Sequence, residues 1–179
     1  MSNAQRSFPA RIADLGFSVP LPQDWISHPL PDEMPDFSQP DLFLPLAIVT
    51  APHSALVFAI AARPAYDDGT LLQWAHYLLQ AGQMQPRTMN VAHIGNLTGF
   101  AGEATQVADL GPVVIRYAFF EDGGRLVNLT LTAPEMIASA LAPLWDEMLR
   151  DFSLETPRGA TTPLDIEQQS QDDANEKTD

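Results

Sequence analysis

The sequence predicts an α+β fold: one antiparallel sheet of about six to seven strands covered by two main helices. Three observations carry that expectation. Short apolar stretches, alternating or rich in branched side chains, recur between clusters of Gly, Pro, Asn and Asp. Two longer stretches, after Thr70 and after Thr132, repeat apolar residues every three or four positions, as amphipathic helices do. The strands of the second half follow one another through turns too short for parallel crossovers, which makes neighbours antiparallel.

In chain order, residues 1–10 read as a flexible N-terminus and an irregular lead-in continues to Leu15. Residues 16–21 alternate with period two and form a short strand, and Pro20 and Pro22, which cannot donate to a ladder, put it at an edge or end it there. Residues 44–50 and 56–62 are paired strands joined across Ala51-Pro52-His53-Ser54. After Asp67-Asp68-Gly69, Thr70 and Gln73 make a capping box, and Leu71, Trp74, Ala75, Leu78 and Leu79 share one helix face. Gly82 stands where a C-terminal cap belongs. Residues 87–97 and 100–107 read as strands with a turn at Asn96-Leu97-Thr98-Gly99, and Gly99 and Gly102 suggest a bulge or tight bend. Residues 113–121 and 125–131 form a hairpin on Asp122-Gly123-Gly124. Its alternation places Tyr117, Phe119, Val127, Leu129 and Leu131 on one buried face, with Arg116, Asn128 and Thr130 on the other. Thr132, Pro134 and Glu135 suggest a second capping box. Ile137, Leu141, Leu144, Met148 and Phe152 then form the sheet-facing side of a final helix. Pro143 predicts a kink or break, or two helices with Pro143 in the first turn of the second. Residues 11–154 thus make a single domain. Residues 155–179 read as a disordered acidic tail, too poor in apolar side chains to offset the entropy of ordering.

Composition narrows the function. The chain has 179 residues, 45% of them hydrophobic, and no cysteine, which removes disulfides and thiolate chemistry. A formal net charge of −14 argues against nucleic acid and anionic membrane surfaces as partners and favours a basic protein partner or plain solubility. No apolar run reaches the length of a membrane span. Met1-Ser2-Asn3-Ala4-Gln5-Arg6 lacks the apolar core of a signal peptide, which points to the cytoplasm; a Ser2-Asn3-Ala4 cloning scar replacing an export signal is the open alternative.

Catalytic patterns are missing. His28, His53, His76 and His93 have no ligand spacing, Lys177 is the sole lysine, and neither a nucleophile elbow nor a phosphate-binding glycine loop occurs. No catalytic residue, metal or cofactor is expected, and the chain reads as a non-enzyme. The most promising surface is the proline-rich acidic loop of residues 20–45, which carries seven prolines. Trp25, Asp36, Phe37, Asp41, Leu42 and Phe43 interleave aromatic and acidic groups there. They are the candidate contacts for a basic or apolar segment of a protein; the competing reading has the apolar groups pin the loop onto the sheet.

Three stretches carry a resemblance: Phe17-Ser-Val-Pro-Leu-Pro-Gln-Asp-Trp25, the helix after Asp67-Asp68, and Trp145-Asp-Glu-Met-Leu-Arg-Asp-Phe-Ser-Leu154. Their order resembles the Mog1/PsbP-like α/β/α sandwich, including DcrB-like proteins, LpqN-like lipoproteins and the chaperones of type VI secretion effectors. The resemblance implies a non-catalytic binding or adaptor protein of bacterial type, such as a chaperone; a homodimer is a separate possibility for the chain. The alternative is a small-ligand or lipid-binding module with a pocket between helix and sheet.

Overall fold

A computed structural model describes residues 3–8, 15–33, 35–38, 42–65, 69–109 and 111–155. The acidic tail from residue 156, Asp41 and the Asp67-Asp68 pair lie outside them. Ten strands are described: β1 (Asn3–Phe8), β2 (Gly16–Pro22), β3 (Ile26–Ser27), β4 (Leu44–Thr50), β5 (Val57–Pro64), β6 (Gln85–Ile94), β7 (Leu97–Ala108), β8 (Gly111–Asp122), β9 (Arg125–Pro134) and β10 (Ser153–Glu155). Helix α1 (Leu71–Ala81) separates β5 from β6, and α2 (Glu135–Ala138), a 3-10 turn (Ser139–Leu141) and α3 (Ala142–Arg150) lie between β9 and β10.

Seven strands form one antiparallel sheet in the order β3-β4-β5-β9-β8-β7-β6. From β5 the chain crosses through α1 to the far edge, then walks back hairpin by hairpin until β9 pairs with β5. A second sheet, β1-β2-β10, lies with α3 on the back of the large sheet. There Phe58, Ile60, Phe120, Val127, Leu129 and Leu131 meet Phe17, Val19, Leu21, Met148 and Phe152 in the main core. Phe17 stacks on Phe8 at 4.8 Å and on Phe152 at 6.0 Å between ring centroids. A smaller core on the front packs Ala75 and Leu79 of α1 against Ala104, Tyr117 and Phe119. The layers are therefore α1, large sheet, then small sheet with α3, as the α/β/α expectation requires.

Several expectations need correction. Residues 3–8 are a strand in register with β2 from Asn3↔Pro22 to Phe8↔Phe17, where the sequence suggested a flexible terminus. The turn between β6 and β7 is Gly95-Asn96, not residues 96–99. Gly95 has φ 58°, and a Cβ there would stand 1.9 Å from the Phe152 carbonyl oxygen, so the turn is also the seat of the chain's last core residue. Gly99 and Gly102 mark no bulge; a Cβ at either would strike a neighbouring strand's carbonyl at 2.1 or 2.0 Å. The irregularity between these strands falls instead between Pro86 and Thr88.

The β8–β9 hairpin corrects the face assignment. Its two turn residues, Gly123 and Gly124, both have positive φ (54° and 74°), as the expected tight turn demands. Asp122 then pairs with Arg125, so odd positions of β8 face even positions of β9. Tyr117 and Phe119 share the front with Thr130 and Asn128, whereas Val127, Leu129 and Leu131 share the back with Phe120, Ala118 and Arg116. Arg116 holds Glu103 at 3.3 Å on that back side.

Pro143 breaks the final helix, and of the two arrangements the sequence allowed, the two-helix one occurs, with proline in the first turn of α3. No side chain caps α2, and Thr132 lies within β9, so the second capping box does not form. Ile137 is 36% exposed; Ala138, Trp145 and Met148 supply the buried contacts, with Leu141 and Leu144 half-buried beside them.

Candidate functional site

Two surfaces converge at one end of α1: the proline-rich loop and the front of the large sheet. Arg63, near the end of β5, joins them. Its side chain is 1% exposed, and Nη2 donates to the Phe37 carbonyl at 2.8 Å and Nη1 to the Leu42 carbonyl at 3.5 Å. The Trp74 ring of α1 lies 5.1 Å from its guanidinium carbon, and the Phe37 and Phe43 rings at 5.9 and 6.0 Å. Phe43 meets Trp74 edge-on at 5.4 Å. A buried charge must be matched by acceptors, and the loop's backbone supplies two of them. The loop is strapped to the sheet by a cation.

The predicted contact residues accordingly divide. Trp25 is 5% exposed and belongs to the main core, its carbonyl accepting from Arg6 at 3.0 Å, so it is not a surface contact. Phe37, Leu42 and Phe43 are half-buried around Arg63. Asp36 is exposed and accepts from the Ser38 N–H at 3.0 Å. Asp41 lies outside the described residues. Sequence reasoning missed Arg63; the available signal was that it is the only lysine or arginine between Arg11 and Arg87.

The front of the sheet follows from the register. One row crosses six strands as Ile48, Ala59, Thr130, Tyr117, Gly102 and Met89. Helix α1 packs over β6, β7 and β8 and so covers only the Tyr117 end of each row. The other half, on β4, β5 and β9, presents Ile48, Val57, Ala59, Ala61, Thr130 and Thr132, all half-exposed. At its margin Ile26 is 54% exposed, and His28 Nε2 contacts the Thr50 hydroxyl at 2.7 Å. Small and β-branched side chains make this half flat and largely apolar, its polar groups among these strands being threonine hydroxyls and the Asn128 amide.

A cavity of about 260 Å³ opens where this half meets α1, lined by Phe43, Leu78, Met84, Tyr117, Phe119 and Asn128 among others. The Tyr117 phenol donates to the Thr88 carbonyl at 2.5 Å, and burial pushes its pKa above the ordinary value. Asn128 Oδ1 is buried and has no hydrogen-bond partner. A larger, polar hollow of about 510 Å³ is lined by Gln83, Gln85, Arg87, Gln106 and Glu135 at the far edge. There Arg87 is paired with Glu135 at 2.6 Å and Glu103 at 3.4 Å. Among the described residues no three His, Asp or Glu side chains gather as a metal site, and no helix is long and apolar enough to cross a membrane.

No family profile and no curated protein matches the chain in sequence. Solved structures match it in fold. The cyanobacterial PsbP (CyanoP) of Synechocystis sp. PCC 6803 aligns over 86% of this chain and 93% of its own, with TM-score 0.61 at 13% identity. LpqN of Mycobacterium tuberculosis, involved in cell envelope biogenesis, aligns over 87% and 93% with TM-score 0.57 at 12% identity. The Ran-binding protein Mog1p of Saccharomyces cerevisiae aligns over 87% and 97% with TM-score 0.54 at 14% identity. The chain has the Mog1/PsbP-like fold, as its three sequence stretches suggested. At these identities the likeness is one of fold alone.

Proposed function

We propose that the protein is a non-catalytic adaptor or chaperone that holds a segment of another protein on the half-covered front of its large sheet. One observation carries the reading: Ile48, Val57, Ala59, Ala61, Thr130 and Thr132 form a flat apolar shelf that α1 leaves half-exposed. The net charge of −14 favours an occupant whose apolar segment has basic flanks, because complementary charge accelerates encounter and rejects acidic competitors. Phe37 and Phe43, held by Arg63, frame one end of the shelf as a fixed aromatic border. The fold shared with a Ran-binding protein supports a protein as the occupant. A secretion effector held before export is the occupant that the resemblance to effector chaperones suggests.

The test places a charge on the shelf. Val57→Glu and Ile48→Glu are expected to keep the melting temperature within a few degrees and to lose at least about tenfold in capture of the partner that the wild type retains from host lysate. Equal capture of that partner by both variants sinks the reading. So does a wild type that retains no specific protein at low salt.

A further inference from the structure

We propose that the free edge of β6 is a self-association surface, on which a second copy of this chain pairs its own β6 antiparallel across a two-fold axis at Val91. The large sheet ends in two unlike edges. On one side β3 is two residues long, and so short a strand protects its edge; on the other β6 runs for ten. The first half of β6 is blunted by Pro86 and by the irregularity between Pro86 and Thr88. From Met89 to Ile94 its ladder with β7 is regular, and Met89-Asn90-Val91-Ala92-His93 carries no proline, lysine or carboxylate. Gly95-Asn96 is a two-residue turn, so Ile94 and Leu97 exchange both backbone bonds. Alternation then directs the N–H and C=O of Val91, with those of Met89 and His93, to the open side. The Val91 side chain is 69% exposed.

Charge selects the occupant. Of the chain's 23 acidic residues none lies from Gly69 to Gly102, the stretch that holds α1 and β6. Arg87, the one charged residue of β6, already holds Glu103 and Glu135. The edge therefore offers neither an acidic nor a basic partner an unmatched charge. Two copies that each carry −14 repel, and this is the stretch on which they meet without carboxylates between them. The two-fold sets Val91 opposite itself and Met89 opposite His93, so no like charges face each other. The two large sheets become one, and the shelves on β4, β5 and β9 lie at its outer ends.

Sedimentation equilibrium of the full chain is expected to show a dimer whose share rises with concentration. Val91→Pro should weaken it at least about tenfold and leave the circular dichroism spectrum unchanged, because the N–H it removes is not bonded to β7. Ala92→Pro, which removes an N–H bonded to Gly99, should instead lower the melting temperature. Val91→Lys brings two ammonium groups together at the axis; it should weaken the dimer as much, and it carries the test if Val91→Pro unfolds. Hydrogen-bonded partners stand about 5.5 Å apart at Cα, within disulfide reach, so Val91→Cys in this cysteine-free chain should cross-link to a dimer on mild oxidation. Val107→Cys, at a position 87% exposed on β7, should not. A wild type that stays monomeric at its highest soluble concentration overturns the proposal. So does a dimer that Val91→Pro and Val91→Lys leave intact. The docking reading is tested separately, since Val57→Glu and Ile48→Glu should keep the dimer.

Discussion

A guanidinium with 1% exposure must place its N–H donors without water, and Arg63 places two of them on carbonyls of the loop it holds and its Nε–H on the Pro64 carbonyl. Replacing it with methionine keeps the bulk but strands the Phe37 and Leu42 carbonyls. A buried acceptor left unmatched costs about 1–3 kcal/mol, and these part-buried ones lie at the low end. Arg63→Met is therefore expected to lower stability by about 1–2 kcal/mol in urea unfolding, with Phe43 released from Trp74 and the tryptophan fluorescence altered. A change below about 0.5 kcal/mol would show that the strap is decorative. Tyr117 offers a pH test. Burial raises its phenol pKa, so the unfolded chain ionises first, near the ordinary value of 10.0, and the folded one later. Its contribution is complete below that ordinary value and is lost as pH climbs towards the raised one. Alkaline unfolding monitored by circular dichroism should show this loss, and Tyr117→Phe should remove it. The aromatic residues of the loop were legible in the sequence as a group. Their common partner was not, because Arg63 lies 20 positions beyond Phe43 and only the sheet register brings the two together.

Among the elements, α1 was fully legible, since its signals are local. The Thr70–Gln73 capping box forms on both sides, and Trp74, Ala75 and Leu79 are buried as their spacing predicts. The C-terminal cap is Gly82 as expected, although the left-handed residue there is its neighbour Gln83, with φ 53°. The β8–β9 faces were misread because alternation fixes the period of each strand but not the phase between two strands. A two-residue turn couples odd positions to even ones, and that reverses the assignment of Tyr117 and Phe119. The final helix divides at Pro143, so its stability resides in α3. Met148→Ala is expected to cost about 2–5 kcal/mol, because Met148 is fully buried. Pro143→Ala should change stability by less than about 1 kcal/mol, since a proline in the first turn displaces no helical hydrogen bond. Thermal unfolding of the two variants checks both; equal losses would contradict the break.

For the whole molecule, composition and strand count sufficed for the layered α+β architecture, and the resemblance supplied its family of folds. The half-covered front was not legible. It exists because the crossover after β5 carries α1 towards β6, β7 and β8, and no local pattern in residues 57–81 encodes that direction. The same crossover has a temporal side. Emerging from a ribosome, β5 pairs with β4 on one side and waits some sixty residues for β9 on the other. Strand β2 waits still longer for β10 and for the Phe152 ring that closes its core. Pairings so distant in sequence bring folding into the slow regime of millisecond to second rates. The apolar edge of β5 stays open throughout that interval, which is when aggregation competes. A protein proposed to shelter another chain's apolar segment thus has, during its own synthesis, the same exposure to overcome.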